Sequence, residues 1–485
     1  MYLPQSRSCI FLLFFFVVGQ VLQAGTKHPN ILLIVSEDNG PELGCYGAPI
    51  STPHLDSLAA QGTLFRNAYV PQAGCSQSRA ALLTGLYPHQ NGQIGLATWK
   101  YAMYSGEIPN LVTTLGETGY RTGIIGKLHI NPESAFPFDF KAIPSANFNR
   151  VNMAAYTESA KSFFRGSDKP FYLQVNYPDA HRPFIKTVDE LPAKPLTGKD
   201  VDAIPYMGIN HPELKQQTAD YFNCLMRLDS YIGDLIEALE DSGKAKDTVV
   251  VYIGDHGADL LRGKRTSYEG GVRIPMIIRW PGAMGGQERK ELVSTLDLFP
   301  TFCEIAGVRV PESLPGRSLK PIVHDESPEW RRYLFTEFHV HSNHNPWPQR
   351  TVRDVRYKLI YNPLAGEVNP GYAFTISKKF FKATEAELLN SASEQVRAAY
   401  KIMKQPPMYE LYDLQSDPFE FKNLVDDSAH VKVRARLNAE LMHWQEETGD
   451  ALKHPEVARR LFSMIRKAGT TKKNALGYKS FMKIR

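Results

Sequence analysis

The stretch Asn30–Ser36 has the sequence NILLIVS, and the polar residues Glu37, Asp38 and Asn39 follow it directly before Gly40. An apolar run without alternation is typical of a strand that helices cover on both faces. In open α/β sheets, ligands bind at the carboxyl ends of such strands. The stretch therefore predicts a central strand of an α/β domain, with a cluster of functional side chains at its end.

Strand-like runs of the same kind recur through the first three hundred residues. They lie at Thr122–Gly126, Phe171–Tyr177, Thr248–Gly254 and Pro275–Trp280. Between them, Thr52 and Pro53 have the residue types of a helix start, and Gly62 follows the end of that helix. A second helical pattern covers Gln217–Leu239. Strands that alternate with helices predict an α/β fold with a mainly parallel sheet flanked by helices.

The sequence pattern changes near residue 330. Short strand-like pieces and one helix follow, separated by loops rich in Pro, Asn and His: Tyr333–Phe338, Val355–Tyr361, Tyr409–Leu414 and the helix Val431–Glu447. We therefore expect a catalytic α/β domain over residues 25–330. A smaller α+β domain over residues 331–485 would contain short antiparallel strands, a helix and a basic tail.

The first 24 residues have the pattern of a signal peptide. Arg7 supplies the positive charge, Cys9–Val18 is an apolar run too short to span a bilayer, and Ala24 offers a small residue for cleavage. We expect export to the periplasm or outside the cell, and no later membrane span. Four cysteines remain after cleavage, too few for a disulfide scaffold: Cys45, Cys75, Cys224 and Cys303.

Composition excludes several classes of protein. Of the 485 residues, 43% are hydrophobic and 22% charged, which excludes a disordered, collagen-like or coiled-coil chain. The net charge of +5 is unevenly distributed, because Lys453–Arg485 contains ten Lys or Arg and one acid, so the rest of the chain is negative. This basic segment is either a solvated tail or a contact for a polyanion.

Acidic pairs follow two of the predicted buried strands. Glu37 and Asp38 come after the first strand, and Asp255 and His256 come after Thr248–Gly254. Both pairs should lie at the same edge of the sheet, where three carboxylates and an imidazole would form a site for a hard cation. Taken singly, each pair has the alternative interpretation of a helix cap or a solvated turn.

Cys75 has the position of a nucleophile. The segment from Gly74 to Arg79 runs into an apolar helical pattern that ends at Thr84, with Gly85 suited to the position after the helix end. Cys75 would face the free N–H groups of the first helical turn, which favour an anion there. The alternative is a small buried cysteine at a helix start.

With its neighbours, Cys75 resembles a family signature. Residues 75–85 (CSQSRAALLTG) are similar to the sulfatase signature, Cys-x-Pro-Ser-Arg followed by a helix that ends in Thr-Gly. Four further segments resemble that family in the expected order: residues 30–40, 126–129 (GKLH), 267–275 (SYEGGVRIP) and 411–424. The chain departs at two positions, with Gln77 where the family has Pro or Ala, and Glu37 where it has Asp.

The chain is identified on these motifs as a member of the type I, formylglycine-dependent sulfatases. The resemblance implies an alkaline-phosphatase-like fold and oxidation of Cys75 to 3-oxoalanine (formylglycine) by a formylglycine-generating enzyme. The hydrated aldehyde would attack the sulfur atom. The resemblance also implies one divalent cation, for which we expect Ca²⁺, held by Glu37, Asp38, Asp255, His256 and residue 75.

Roles for the other site residues follow from the same resemblance. Arg79 would hold the oxygen of residue 75, and Lys127 and Lys264 would bind oxygens of the sulfuryl group. His129 would contact the formylglycine hydroxyls. His181 would give a proton to the leaving group, because histidine suits acid–base work near neutral pH.

Within the family, the similarity extends furthest to the heparan N-sulfatases. Residues 88–92, 121–129, 132–133 and 137–140 carry it. It implies hydrolysis of the N-sulfate of a terminal glucosamine in heparan- or heparin-type chains, with no nucleic-acid partner and with a homodimer left open. The alternatives are an O-sulfatase on another sulfated polysaccharide, a phosphoryl-transfer hydrolase of the same fold and a glycan-binding protein without activity.

The segment Phe338–Arg350 is a candidate for selecting the substrate. It has three histidines, Trp347 and Arg350 within thirteen residues. Arg could bind a sulfate or carboxylate with two hydrogen bonds, and Trp could stack on a sugar face. The alternative is an ordinary loop at a domain interface.

Overall fold

A mixed nine-stranded sheet organises the first three hundred residues of the computed structural model, which describes residues 28–469 and 477–482. The predicted signal peptide, residues 1–24, lies outside these described residues. The strands of this sheet are β1 (Asn30–Ser36), β2 (Thr63–Tyr69), β3 (Arg121–Gly126), β4 (Phe140–Ala142), β5 (Phe171–Tyr177), β6 (Thr248–Gly254), β7 (Arg273–Arg279), β8 (Gln287–Arg289) and β9 (Val293–Ser294). They follow the order β4-β3-β5-β1-β6-β7-β2-β8, and β9 pairs with β2.

Helices cover both faces of this sheet and surround the C-terminal part. They are α1 (Pro53–Gln61), α2 (Cys75–Thr84), α3 (Pro88–Asn91), α4 (Leu111–Glu117), α5 (Ala154–Arg165), α6 (Pro212–Asp241), α7 (Glu269–Val272), α8 (Leu298–Ile305), α9 (Lys320–Val323), α10 (Pro370–Thr375), α11 (Glu385–Asn390), α12 (Glu394–Lys404), α13 (Val431–Glu447), α14 (Pro455–Lys467) and α15 (Tyr478–Met482). None of the helices in the described part of the chain has the length and apolar character needed to cross a membrane.

The strand β1 is the centre of the sheet. It pairs in parallel with β5 on one side and β6 on the other, so Ser36 is aligned with Tyr177 and Gly254. Alternate side chains of β1 enter opposite cores. Leu32 and Ile34 pack with α1, α5 and α6. Ile31, Leu33 and Val35 pack with α2, α4 and α8. Burial on both faces explains why the strand is apolar throughout.

The predicted fold class is confirmed, with two corrections of detail. The strand predicted at residues 275–280 is β7, which begins at Arg273 and runs antiparallel to β6. The sequence analysis missed β2, because Arg66 and Asn67 interrupt its apolar run where the strand is only half buried. The long helix α6 extends the predicted pattern at both ends.

The second sheet is antiparallel, with the order β10 (Leu334–Val340), β11 (Pro346–Arg353), β12 (Tyr357–Tyr361) and β13 (Tyr409–Asp413). The predicted helix Val431–Glu447 coincides with α13. The segment Phe338–Arg350, expected to lie in a loop, comprises the end of β10, the connecting residues 341–345 and the start of β11. Prolines at positions 346 and 348 hid β11, because proline normally argues against a strand.

The second sheet packs directly against α2, the helix that begins at Cys75. Ala81 of α2 and Leu296 share one apolar cluster with residues from the second sheet and α13, among them Val352, Leu411 and Trp444. A further cluster joins Ile94 and Tyr101 to β10, β11 and α14. Side chains of the C-terminal part therefore form one wall of the region around α2. The boundary near residue 330 stays a prediction.

Candidate active site

The helix α2 places Cys75 at its first residue, as predicted. Gly74 precedes the helix in an extended conformation, and Gly85 ends it in the left-handed conformation (φ 67°), with its N–H donating to the carbonyl of Ala81. No side chain caps the helix start. The first N–H groups of α2 therefore remain available to an acceptor near position 75.

Side chains from the ends of β1 and β6 surround the sulfur atom. The Cys75 Sγ lies 3.3 Å from His256 Nε2 and 4.0 Å from Asp38 Oδ1. His256 Nε2 is in turn 3.3 Å from Asp38 Oδ1 and 3.6 Å from Asp255 Oδ1. The Asp38 backbone N–H donates to Asp255 Oδ1 at 2.9 Å, which fixes the two loops to each other.

Two basic residues hold the outer carboxylates. Lys127 Nζ lies 2.9 Å from Glu37 Oε2. Arg79 donates to Asp255 Oδ2 at 3.1 Å, and also to the backbone carbonyl of Lys127 and to Asn176 Oδ1. The hydrogen bonds of Arg79 thus go to residues around Cys75 and not to Cys75 itself. Its expected contact with the oxygen of residue 75 stays a prediction.

Glycine at position 254 permits this convergence. A Cβ atom at Gly254 would lie 2.0 Å from the carbonyl oxygen of Asn39, closer than any side chain tolerates. The loops after β1 and β6 can approach each other only because that atom is missing. Asp38 and His129 adopt left-handed backbone conformations, with φ of 51° and 61°. Such conformations are uncommon for residues other than glycine, although Asp and His adopt them more readily than most.

The positive charges around Cys75 favour an anion at this position. Burial raises the pKa of the thiol, but Lys127, Lys264 and His256 outweigh it and hold the pKa well below its usual value. Lys264 Nζ lies 3.4 Å from Cys75 Sγ and 2.8 Å from Asp38 Oδ1. Burial raises the pKa of Asp38 to about 6, against the effect of Lys264. The site therefore stabilises negative charge at residue 75.

The carboxylates and His256 fit a divalent cation. Ligand atoms of Glu37, Asp38, Cys75 and His181 lie within 4.8 Å of one another, and those of Cys75, Asp255 and His256 form a second such group that shares Cys75. Glu37 Oε1 is buried without a hydrogen-bond partner, as expected of an oxygen that a cation would complete. Carboxylate oxygens are the ligands that Ca²⁺ prefers. His256, whose pKa burial lowers but Asp255 and Cys75 raise to about 9, would bind only after losing its proton.

Two predicted histidines border the same region. The buried His129 imidazole lies close enough to Cys75 to interact with it, and burial with the nearby Lys127 lowers its pKa to about 4. His181 stacks on Phe148 at 3.9 Å between ring centroids, and its Nδ1 lies 2.5 Å from the carbonyl oxygen of Arg182. Burial lowers the pKa of His181 to about 4 as well. Both imidazoles are therefore neutral near pH 7.

A cavity of about 750 Å³ opens above Cys75. Aromatic rings and basic groups from both parts of the chain line it, including Trp99, Phe148, Arg182, His344, Phe374 and Lys379. Aromatic faces beside cationic groups suit a sugar that carries anionic substituents. The predicted site residues Cys75, Lys127, His129, His181 and Lys264 also reach this cavity.

The hairpin β10–β11 contributes to the cavity, but not through all of the residues that were predicted to contact the substrate. Arg350 is buried and bonds to Asp450 at 2.7 Å, and Trp347 is 2% exposed and packs against Phe462. Neither residue lines the cavity, so their expected contacts with a sulfate and a sugar face are wrong. Of the three histidines in the segment, His341 and His344 do line it.

His341 and Asp259 are site residues that the sequence analysis missed. The His341 imidazole lies close enough to Cys75 to interact with it, and burial lowers its pKa to about 3. Asp259 forms a buried ion pair with Arg265, and its backbone carbonyl accepts from Arg182 Nε at 2.9 Å. The three histidines of Phe338–Arg350 had indicated that this segment, which contains His341, could contact the substrate. No sequence pattern indicated a functional role for Asp259.

Gln77 ties the start of α2 to the second sheet. Its Nε2 donates to the carbonyl of Val340 at 2.6 Å and to that of Ile94 at 3.3 Å. Val340 is the last residue of β10 and directly precedes His341. The side chain at this position therefore connects the nucleophile helix to the wall of the cavity that the hairpin forms.

Comparisons with known proteins agree with these observations. The sulfatase family model matches residues 29–308, and a model of the C-terminal part of N-sulphoglucosamine sulphohydrolase matches residues 254–368. N-sulphoglucosamine sulphohydrolase of Homo sapiens is 32% identical over 462 residues, covering 87% of this chain and 90% of the relative. An ulvan-active sulfatase of Formosa agariphila is 28% identical, covering 88% and 82%.

A solved structure supports the fold. It contains a protein in complex with its substrate, D-glucosamine-2-N,6-O-disulfate. It matches with a TM-score of 0.66 at 21% identity, covering 87% of this chain and 98% of that one. At this level of identity, the match concerns the architecture alone.

Proposed function

The chain belongs to the sulfatase family, and from that premise we propose that it hydrolyses the N-sulfate of a terminal glucosamine in heparan- or heparin-type chains. The observation that carries this proposal is the 32% identity to human N-sulphoglucosamine sulphohydrolase over 87% of the chain. The match of residues 254–368 to the C-terminal model of that enzyme supports it independently. The products are inorganic sulfate and a free glucosamine amine.

Residue 75 carries the nucleophile after oxidation of Cys75 by a formylglycine-generating enzyme. The hydrated aldehyde would supply one hydroxyl for attack on sulfur with loss of the amine, and a second hydroxyl whose deprotonation would expel sulfate and restore the aldehyde. The surroundings of Cys75 support this role, because the cations that lower the pKa of the thiol would equally stabilise an anionic oxygen there. His129 is neutral and lies close enough to Cys75 to interact with it, which supports a contact with such hydroxyls.

Lys127 and Lys264 neutralise the sulfuryl oxygens. Both line the cavity beside Cys75. Lys127 forms an ion pair with Glu37, and Lys264 forms one with Asp38. Attack of one anion on another is electrostatically hindered, so fixed positive groups lower the barrier most where negative charge develops. Arg79, which donates to Asp255, would also hold the oxygen of residue 75.

Glu37, Asp38, Asp255 and His256 would hold one Ca²⁺ beside residue 75. The ion supplies Lewis-acid chemistry by polarising a sulfuryl oxygen. The buried Glu37 Oε1, which has no hydrogen bond and lies 3.6 Å from a guanidinium nitrogen of Arg79, supports this assignment, as does the majority of oxygen donors. The carboxyl of Asp38, whose pKa is raised to about 6 by burial, would also become a better anion beside the ion.

His181 protonates the leaving amine. Its Nδ1 donates to the carbonyl of Arg182, which leaves Nε2 as the nitrogen that takes up and gives the proton. In the empty site its pKa is about 4. A bound sulfamate anion raises the pKa of this imidazole, because nearby negative charge favours the protonated form. The substrate thereby promotes protonation of the acid that its own cleavage needs.

A sulfatase that acts on another sulfated polysaccharide is the second candidate, favoured by the 28% identity to an ulvan-active sulfatase. A phosphoryl-transfer enzyme is not favoured, since Cys75 and Arg79 occupy the positions of the sulfatase signature. A glycan-binding protein without activity would result if Cys75 stayed a thiol. Export, directed by residues 1–24, and assembly as a homodimer remain proposals.

Sulfate release distinguishes the candidates. We expect the protein, produced together with a formylglycine-generating enzyme, to release sulfate from N-sulfoglucosamine and to act far more slowly on glucosamine 6-O-sulfate. The matched control is Cys75→Ala, which keeps the fold and removes the nucleophile. Hydrolysis of the O-sulfated sugar alone would agree with the sulfatase family but would contradict the proposed N-sulfated substrate. Binding without sulfate release from either sugar would support the protein without activity.

A further inference from the structure

Helix α14 has one apolar face and one strongly basic face. Its apolar residues are buried against β11 and α15: Val457, Ala458, Leu461, Phe462 and Ile465. The basic residues on its other side are exposed: Arg459, Arg460, Arg466 and Lys467. The helix lies in the basic C-terminal segment, which the catalytic function does not use.

These four basic residues have no acidic partner within ion-pair distance in residues 28–469 and 477–482. The only acid on the helix is Glu456, which lies 3.8 Å from His454. Glu367 shares a shallow groove with Arg459, Arg466 and Lys467. The positive face is therefore largely uncompensated, in a protein whose residues before Lys453 carry net negative charge. Uncompensated charge of this kind attracts a polyanion.

The carboxyl end of α14 adjoins the mouth of the active-site cavity. The side chain of Asn343 donates to the carbonyl of Gly469, two residues beyond the helix, at 3.2 Å. Asn343 lies between Ser342 and His344, which both line the cavity. Since thirteen residues of helix extend about 20 Å, the basic face runs from the cavity wall outward along the surface.

We propose that the exposed basic face of α14 is a docking surface for the sulfated glycan chain that extends beyond the sugar in the cavity. This inference rests on the proposed function, which places the terminal sugar above residue 75. The sulfates and carboxylates of the following sugars would contact Arg459, Arg466 and Lys467, with Arg460 adding charge. Arginine suits this partner, because its planar group binds sulfate and carboxylate with paired hydrogen bonds.

The contribution of such a surface appears in KM and depends on chain length. Each exposed ion pair is weak and screened by salt, so only a substrate long enough to make several contacts gains affinity. The reacting sugar is unaffected, because α14 supplies no residue to the cavity. The basic face therefore discriminates polymer from monosaccharide without changing the chemical step.

The test is a variant with Arg459→Gln, Arg460→Gln, Arg466→Gln and Lys467→Gln. For a heparin-type oligosaccharide of six or more sugars, we expect KM to rise about 10-fold at low salt with kcat unchanged. For the monosaccharide N-sulfoglucosamine, both constants stay the same, which also shows that the variant folds. The matched control removes four exposed positive charges far from α14: Arg165→Gln, Lys169→Gln, Lys246→Gln and Lys290→Gln.

A binding measurement separates this proposal from the proposed function. Cys75→Ala, with and without the four α14 substitutions, is applied to an immobilised heparin oligosaccharide and eluted with salt. We expect elution at lower salt only when the α14 substitutions are present. Equal elution of both proteins, or an equal shift in the control variant, would overturn the docking surface. Absence of sulfate release by the unsubstituted enzyme would instead overturn the function.

Discussion

Residue 75 combines a position at the start of a helix with charged side chains around its sulfur atom. Cys75 begins α2 and is 2% exposed, with the sulfur atom between His256, Asp38 and Lys264. A buried cysteine in apolar surroundings would have a raised pKa, whereas this one has a strongly lowered pKa. The position is therefore built for an anion and not for packing.

Substitution of Cys75 tests this interpretation. We expect Cys75→Ala to abolish sulfate release while the melting temperature stays within a few degrees of the unsubstituted protein. Cys75→Ser should take up one sulfuryl group and stop, because a serine has no second hydroxyl to expel it. Intact-protein mass spectrometry after exposure to substrate measures this adduct. Repeated turnover by either variant would refute a mechanism that depends on formylglycine.

The acid role of His181 predicts a dependence on the leaving group. His181→Gln should slow hydrolysis of N-sulfoglucosamine by about 10²–10⁴-fold, since the amine cannot leave without a proton. An aryl sulfate is the control substrate, because its phenoxide leaves readily and should be hydrolysed at a nearly unchanged rate. Steady-state rates on both substrates give the comparison. Equal losses on both would assign His181 to binding and not to proton transfer.

At the scale of secondary structure, Glu337 joins β10 to the short helix α3. Its two carboxylate oxygens accept from the backbone N–H of His89 at 2.8 Å and lie 2.5 Å from His89 Nδ1. Burial alone would raise the pKa of Glu337, but His89 and Arg350 hold it at about 2. This contact fixes the second sheet beside the segment that follows α2.

The lowered pKa of Glu337 predicts a stability difference that depends on pH. A carboxyl with a folded pKa of about 2 and a reference value of 4.5 stabilises the fold above pH 4.5, and the contribution is lost as pH falls toward 2. Glu337→Gln should therefore lower the free energy of unfolding at pH 7 by on the order of 3 kcal/mol, and by much less at pH 3. Urea unfolding at both values measures this.

The control for that measurement is Glu117→Gln, at an exposed position at the end of α4. We expect it to change stability by less than about 0.5 kcal/mol at either pH. If Glu337→Gln behaved in the same way as Glu117→Gln, the buried contact with His89 would not contribute to stability. An equal loss at pH 7 and pH 3 would mean that packing, and not charge, is responsible.

The elements that were predicted best are those whose residues are buried on every side. The strands β1, β5 and β6 have the predicted bounds, because a fully buried strand is apolar at each position. The strand β11 was missed, because its prolines suggested a loop and its pairing with β10 and β12 depends on residues distant in sequence. Local pattern therefore predicted the central sheet better than the second one.

The same distinction holds for the site. Residues at the ends of buried strands could be placed at one edge from the sequence, and there Asp38 does contact His256 at 3.3 Å and Asp255 at 2.9 Å. Arg350 was assigned to the substrate, whereas its partner is Asp450, one hundred positions later. A charged side chain in a loop gives no sign of which distant acid it will meet, so the sequence could not exclude that pair.

At the scale of the whole molecule, a bound cation should couple the site to global stability. We expect Ca²⁺ added to chelator-treated protein to raise the melting temperature, since a ligand at 100 times its Kd stabilises the folded state by about 2.7 kcal/mol. Asp38→Asn should weaken or abolish this increase. Thermal melts across a Ca²⁺ titration measure it, with Mg²⁺ as the comparison ion. A melting temperature indifferent to both ions would contradict the cation site.

The most direct test of the central claim relates activity to the chemical state of residue 75. Preparations with different degrees of conversion are obtained by varying the amount of formylglycine-generating enzyme, and the mass of the peptide with residue 75 gives the converted fraction. The account predicts that sulfate release from N-sulfoglucosamine rises in proportion to that fraction and vanishes when the thiol is intact. Undiminished release by protein with an unconverted Cys75, or none by fully converted protein, would contradict it.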